Sequence, residues 1–180
     1  MSFDRLLHFL DRFSTKIQTD NTSFEYESMN MSIVDLHLHE KSNEWFAIED
    51  SDNSDTIIEV NIRVLQRQFN ESDNYRIIQT IFSNFNLFPQ MNTTHFGTPI
   101  SFQISNKTHI KTDEDFLRFQ IRIPEARTSY ISCVYWSFDE NNGSWINDNG
   151  CRFVGYRNNY AQCYCNHLTH FALLMVGYEK

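Results

Sequence analysis

The sequence predicts a mostly β protein, an antiparallel β-sandwich preceded by one α-helix. Strict two-residue alternation of apolar and polar side chains recurs in four separate segments. One stretch near the N-terminus instead repeats at three and four residues, the period of a helix. Hydrophobic residues make up 41% of the 180, with 16 Phe against only 5 Gly and 3 Pro, which supplies a core and argues against a linker-rich chain.

The helix is predicted over residues 3–17. Phe3, Leu6, Leu10, Phe13 and Ile17 form one apolar stripe suited to packing, and Ser2 is placed to cap it. Residues 18–31 are polar and read as a linker or long loop. Beyond them Val34, Leu36 and Leu38 alternate with Asp35, His37 and His39; Ile58, Val60, Ile62 and Val64 alternate with Glu59, Asn61 and Arg63. Ile100, Phe102 and Ile104 alternate with Ser101, Gln103 and Ser105; Leu117, Phe119, Ile121 and Ile123 alternate with Arg118, Gln120 and Arg122. Each segment is expected to bury one face and wet the other, as antiparallel strands do, and many such strands between polar loops make a two-layer sandwich. His37 and His39 share one strand face, but it is the polar face and no third ligand lies near, so they are expected to be solvated rather than metal-bound. The division that follows is residues 1–20 as the helix and residues 21–180 as the sandwich.

The formal net charge of −8 works against binding nucleic acid, which rests on Lys and Arg meeting phosphate, and no basic stretch suits a membrane surface. The longest apolar run, near Phe171–Val176, is far too short to span a bilayer. All four cysteines, Cys133, Cys151, Cys163 and Cys165, lie in the last third of the chain, as in a disulfide-stapled lobe. Asn21, Asn30, Asn70, Asn92, Asn106 and Asn142 begin N-x-S/T sequons and are candidate glycosylation sites. Together these features point to an oxidising, extracellular compartment. Charged residues interrupt the apolar ones at the N-terminus, so no secretory leader is legible and the precursor is expected to begin further upstream.

The informative stretch is residues 130–176, YISCVYWSFDENNGSWINDNGCRFVGYRNNYAQCYCNHLTHFALLMV. It contains Cys133-x-x-Trp136, Gly143-Ser144-Trp145, Gly150-Cys151, Cys163-x-Cys165-x-His167-Leu168-Thr169 and Phe171-Ala172. This order and spacing resembles the proteolysis-site (GPS) motif that closes the autoproteolysis-inducing (GAIN) domain of adhesion G-protein-coupled receptors and, less closely, of polycystin-like proteins. The motif covers about a quarter of the chain. Trp136, Trp145 and Gly150 are its framework positions.

The residues make chemical sense of that resemblance. A hydroxyl can attack the peptide bond just before it, giving an ester that water opens far more readily than an amide. Thr169 is the candidate nucleophile, Leu168 supplies the attacked carbonyl, and His167 is the candidate general base, with an ordinary pKa near 6.5. The resemblance implies a single self-cleavage, with no activity on other substrates and no cofactor or metal. The sequence does not identify the oxyanion donor. Four cysteines allow three pairings; the resemblance implies Cys133 with Cys163 and Cys151 with Cys165. The piece after the cut, THFALLMVGYEK, is apolar at nearly every position from Phe171 to Val176, so it is expected to form a strand buried on both faces.

By resemblance that strand is also a tethered agonist, carried by Thr169, Phe171, Leu174 and Met175, whose partner is a transmembrane domain of the full-length protein. An extracellular protein ligand and a place on the outer face of the plasma membrane are implied as well. The family's usual helical subdomain is reduced here to a single helix, a remnant. His170 stands where family members often carry Asn and could compete for a proton. Two other readings fit the same residues. One is a non-cleaving interaction module of the same fold. The other is a zinc site from Cys163, Cys165, His167 and His170, disfavoured because ligands two apart on a strand do not close a compact tetrahedron. A hydrolase acting on other molecules lacks a Gly-flanked nucleophile or paired-carboxylate motif.

Overall fold

The computed structural model describes residues 22–26, 29–36, 44–48, 55–69, 75–82, 95–104, 110–123, 130–137, 143–148 and 150–176. The helix expected over residues 3–17, His37, His39 and the sequons at Asn21, Asn70, Asn92, Asn106 and Asn142 lie outside them. In chain order the described elements are β1 (Thr22–Tyr26), β2 (Met29–Leu36), β3 (Trp45–Ile48), β4 (Thr56–Asn61), α1 (Ile62–Gln68), β5 (Tyr75–Phe82), β6 (His95–Phe96) and β7 (Ile100–Ile104). They continue with β8 (Leu117–Arg122), β9 (Tyr130–Ser137), β10 (Ser144–Ile146), β11 (Cys151–Arg157), β12 (Tyr160–Cys165) and β13 (His170–Val176).

The strands form two antiparallel sheets. An eight-stranded sheet runs β1-β2-β5-β7-β13-β9-β10, with β6 also pairing β13, and a five-stranded sheet runs β11-β12-β8-β4-β3. Alternation explains the contact between them. Ile100, Phe102, Cys133, Phe171 and Leu173 from the larger sheet meet Ile58, Val60, Phe119, Ile121 and Cys163 from the smaller in one buried core. Burying side chains of this size stabilises by about 1.5–3 kcal/mol each. The expected sandwich is therefore present, and the strands expected around 100–104 and 117–123 are in place.

Three expectations are corrected. The stretch 18–31 is not all linker, because Thr22–Tyr26 pairs with Met29–Ile33 as a hairpin at the sheet edge. The alternation from Ile58 to Val64 does not stay a strand. Asn61 accepts a hydrogen bond from Val64 N–H through its side chain at 3.2 Å and caps α1, which buries Ile62, Val64 and Leu65. Ile62, Leu65 and Phe69 also lie three and four residues apart, so the helical period was present beneath the alternating one. In β2, finally, Met31 and Ile33 are the fully buried side chains while Val34 is half-buried. The outer face of the larger sheet is buried too, at Ile33, Ile78, Phe82, Val134 and Ala172.

Two disulfides complete the frame. Cys133 on β9 is bonded to Cys163 on β12, stapling sheet to sheet across 30 residues of sequence. Cys151 is bonded to Cys165, its register partner across β11 and β12. This is the pairing implied by the family resemblance. The β11–β12 hairpin turns on Asn158 and Asn159 with φ of 51° and 67°, the left-handed pair that a two-residue type I′ turn needs.

Candidate functional site

The His167-Leu168-Thr169 tripeptide occupies the bend between β12 and β13. It is pinned from both sides of the Leu168–Thr169 bond. Before the bond, residues 110–112 lie against it: Lys111 bridges His167 in antiparallel fashion, Thr112 N–H donates to Asn166 O at 2.8 Å, and Leu168 N–H donates to Ile110 O at 3.0 Å. After the bond, Phe102 N–H donates to Thr169 O at 3.2 Å, and Thr169 Oγ1 donates to the main-chain carbonyl of Trp136 at 2.9 Å.

The strand that follows is central in its sheet. β13 pairs with β9 along its length from Phe171 to Val176, and with β7 and β6 on its other side. Phe171, Leu173 and Met175 point into the core, whereas Ala172 and Leu174 face outward. Phe171, Ala172 and Leu173 are completely buried and Leu174 is half-buried, so both faces are covered as expected. Gly97 lets the chain pass close to this strand: its N–H donates to Leu173 O at 2.9 Å, and a Cβ there would come within 3.1 Å of the Leu173 side chain.

The imidazole of His167 sits in an aromatic cage. Tyr135 meets it edge-on at 4.3 Å between ring centroids, and Phe171 lies at 5.5 Å. Nδ1 is 3.2 Å from Asn166 Oδ1, while Nε2 is buried without a hydrogen-bond partner among the described residues. Burial, aided by the positive charge of Lys111, lowers the pKa of His167 to about 4; the Asp148 carboxylate and the Gly150 backbone pull the other way and lose. Asp148 itself is held below its usual value, first by the Gly150 N–H and then by the Tyr135 hydroxyl.

Among the described residues, His167 and Thr169 make no hydrogen bond to each other, and none reaches the Leu168 carbonyl oxygen. Base, nucleophile and carbonyl are contiguous, but the hydroxyl is turned to Trp136 and no oxyanion donor is engaged. His170 is buried on the outward side of β13, edge-on to Phe82, and its register partner is Ser101. The four cysteines are consumed in disulfides, which leaves no thiolate to ligate zinc. Among the described residues no group of three or more metal-ligating side chains is found. Of the six sequon asparagines Asn30 alone is described, half-buried on a strand paired on both sides.

The framework positions have clear work. Trp136 is buried and stacks edge-on with Trp145 at 5.3 Å. Gly143, at φ +67°, lies on the Trp136 ring so closely that a Cβ would fall 2.4 Å from it. Gly150 leaves room for the His167 ring, since a Cβ there would be 2.8 Å from Cε1. Sequence reasoning missed Tyr135, Asp148, Lys111 and the Trp136 carbonyl. Lys111 lies outside the motif; Tyr135, Asp148 and the Trp136 carbonyl lie within it, but nothing in their spacing marks them for the site.

Known proteins agree with this architecture. The GAIN subdomain B family model matches residues 14–178. Human Adhesion G-protein coupled receptor G4 is 34% identical over 108 residues, 54% of this chain and 4% of that receptor. Adhesion G-protein coupled receptor G1 of Macaca mulatta is 27% identical over 185 residues, 91% of this chain and 25% of that receptor. The full extracellular region of zebrafish Gpr126/Adgrg6 superposes with a TM-score of 0.71 at 20% identity, over 92% of this chain and 25% of that one. The chain thus spans a quarter or less of the proteins it matches. No helix among the described residues is long and apolar enough to cross a membrane. With its two antiparallel sheets, its paired cysteines and a family match from residue 14 to residue 178, this chain belongs to the GAIN subdomain B family, the GPS-bearing domain of adhesion G-protein-coupled receptors.

Proposed function

We propose that this chain is a membrane-proximal ectodomain module of an adhesion-type receptor, on the outer face of the plasma membrane, that cuts its own backbone between Leu168 and Thr169. In this reading residues 1–20 are the remnant of a helical subdomain and residues 21–180 are the autoproteolytic sandwich. The last strand stays seated after the cut, and Thr169, Phe171, Leu174 and Met175 serve as a buried agonist for the transmembrane domain of the whole receptor. An extracellular protein ligand is the further partner. The supporting observation is the junction itself: a His-Leu-Thr bend, tied on both sides, opens directly into a strand paired on both edges.

The Thr169 hydroxyl leaves the Trp136 carbonyl and turns to the neutral imidazole of His167, which takes its proton as Oγ1 attacks the Leu168 carbonyl carbon. The proton passes to the Thr169 nitrogen, the C–N bond breaks, and an ester joins Leu168 to Oγ1. Water then opens the ester to a Leu168 carboxylate and a free Thr169 hydroxyl. All four cysteines precede the cut, so no disulfide holds the departing piece. Packing and ladder hydrogen bonds hold it instead.

The test is the mass of the secreted chain under denaturing, non-reducing conditions. Two species, one ending at Leu168 and one beginning at Thr169, are expected, with Thr169→Ala giving one. A single intact chain with oxidised cysteines would reject self-cleavage. A second reading, a non-cleaving cover of the same fold, draws support from the Thr169–Trp136 bond and from the weak basicity of an imidazole with a pKa about 4.

A further inference from the structure

Two of the surfaces that confine the His167 ring are held by one carboxylate. Tyr135 on β9 presents its ring to the imidazole at 4.3 Å and 75°. Gly150, just before β11, presents bare backbone, where a Cβ would lie 2.8 Å from the imidazole Cε1 and 3.0 Å from the Tyr135 ring. Asp148 accepts from the Tyr135 hydroxyl through Oδ2 at 2.9 Å and from Gly150 N–H through Oδ1 at 2.7 Å. It touches neither Leu168 nor Thr169 among the described contacts.

We propose that Asp148 is a positioning residue for the His167 base, clasping Tyr135 and Gly150 into a single wall that fixes the imidazole beside the Leu168–Thr169 bond. This rests on the self-cleavage reading. The charged and titratable groups that face the ring are Asp148 from the loop before β11, Tyr135 from β9 and Lys111 from the segment paired with His167. Without the clasp, the Tyr135 hydroxyl and Gly150 N–H lose their common anchor and the wall beside the ring loosens, with Asn166 N–H still donating to Gly150 O at 3.1 Å. A shift of about 1 Å at a reacting group costs up to about a hundredfold in rate. Charge is the lesser part of the role, because an amide at position 148 can accept from Gly150 N–H and donate to the Tyr135 oxygen.

The experiment compares Asp148→Ala, Asp148→Asn and Tyr135→Phe in the full chain. Cleavage is followed by pulse-chase in secreting cells. In a Thr169→Ala background, which cannot cut, the ring-current shift of the His167 Hε1 proton is read by NMR. Asp148→Ala is expected to slow cleavage at least tenfold and to move Hε1 towards its random-coil position. Asp148→Asn should stay within about threefold with Hε1 unmoved, and Tyr135→Phe, which cuts one of the two ties, should fall between. Wild-type cleavage and an unmoved Hε1 in Asp148→Ala would overturn the proposal. A wild-type chain that never cuts would reject the cleavage reading, and the NMR comparison would still decide whether Asp148 places the ring.

Discussion

The Thr169 hydroxyl donates to the main-chain carbonyl of Trp136 at 2.9 Å, so the candidate nucleophile is also a tie between the entry to the last strand and β9. Thr169→Val keeps the shape and deletes the bond. It should abolish the cut and lower stability by about 1 kcal/mol, the usual net worth of such a bond. Thr169→Ser should retain both properties. Chemical denaturation together with the mass of the purified chain checks the pair.

The depressed pKa of His167 has a definite sign. The unfolded imidazole titrates near 6.5 and the folded one at about 4, so between these values the unfolded chain binds more protons. The contribution is fully present above pH 6.5 and declines as the pH falls towards 4, by about 2–3 kcal/mol in all after allowance for partial exposure. Denaturation midpoints for the Thr169→Ala chain between pH 7 and 4 should show this slope, and His167→Gln should flatten it. The cleavage rate should hold steady from pH 8 to 5, where the base is already neutral.

Gly143 carries a different constraint. Its φ of +67° and the Trp136 ring 2.4 Å from the place of a Cβ exclude a side chain on two independent grounds. Left-handed strain costs about 1–3 kcal/mol and overpacking about as much again. Gly143→Ala should therefore destabilise by at least about 2 kcal/mol. Near-ultraviolet circular dichroism of Trp136 and Trp145, with a thermal melt, reads both consequences.

Much of this was legible in the residues, for physical reasons that also mark the limit. The strands at 100–104 and 117–122 are wet on one face and alternate visibly. β5 is buried on both faces from Ile77 to Phe82, so its run of Ile, Gln, Thr and Phe carries no alternation to find. The helix at Ile62 was hidden because Asn61 is both a strand end and a cap. In the site, the tripeptide is contiguous and readable. Tyr135 stands 32 residues before His167, and Lys111 a further 24 before that, and only the folding of β9 and the 110–112 segment brings them to the imidazole.

Retention of the last strand should depend on its inward side chains. Leu173 is completely buried opposite Cys133, and Leu173→Ala should cost about 2–5 kcal/mol, whereas Leu174→Ala, half-buried on the other face, should cost clearly less. Replacing Cys133 and Cys163 together by Ala should remove about 3–4 kcal/mol, from a loop of 30 residues. In cleaved protein, both the Leu173 and the double cysteine variants should shed the piece beginning at Thr169 sooner, as gel filtration followed by mass measurement would show.

A strand lost from the rim of a sheet leaves a slightly narrower sheet, but β13 lies between β7 and β9. Its departure would divide the larger sheet into β1-β2-β5-β7 and β9-β10, with the latter still riveted to the opposite layer through Cys133 and Cys163. Two rows of unsatisfied backbone donors and acceptors would then face one another across an empty slot one strand wide, a template for any extended peptide that arrives. The emptied slot would accept a synthetic copy of β13 in place of the strand it lost.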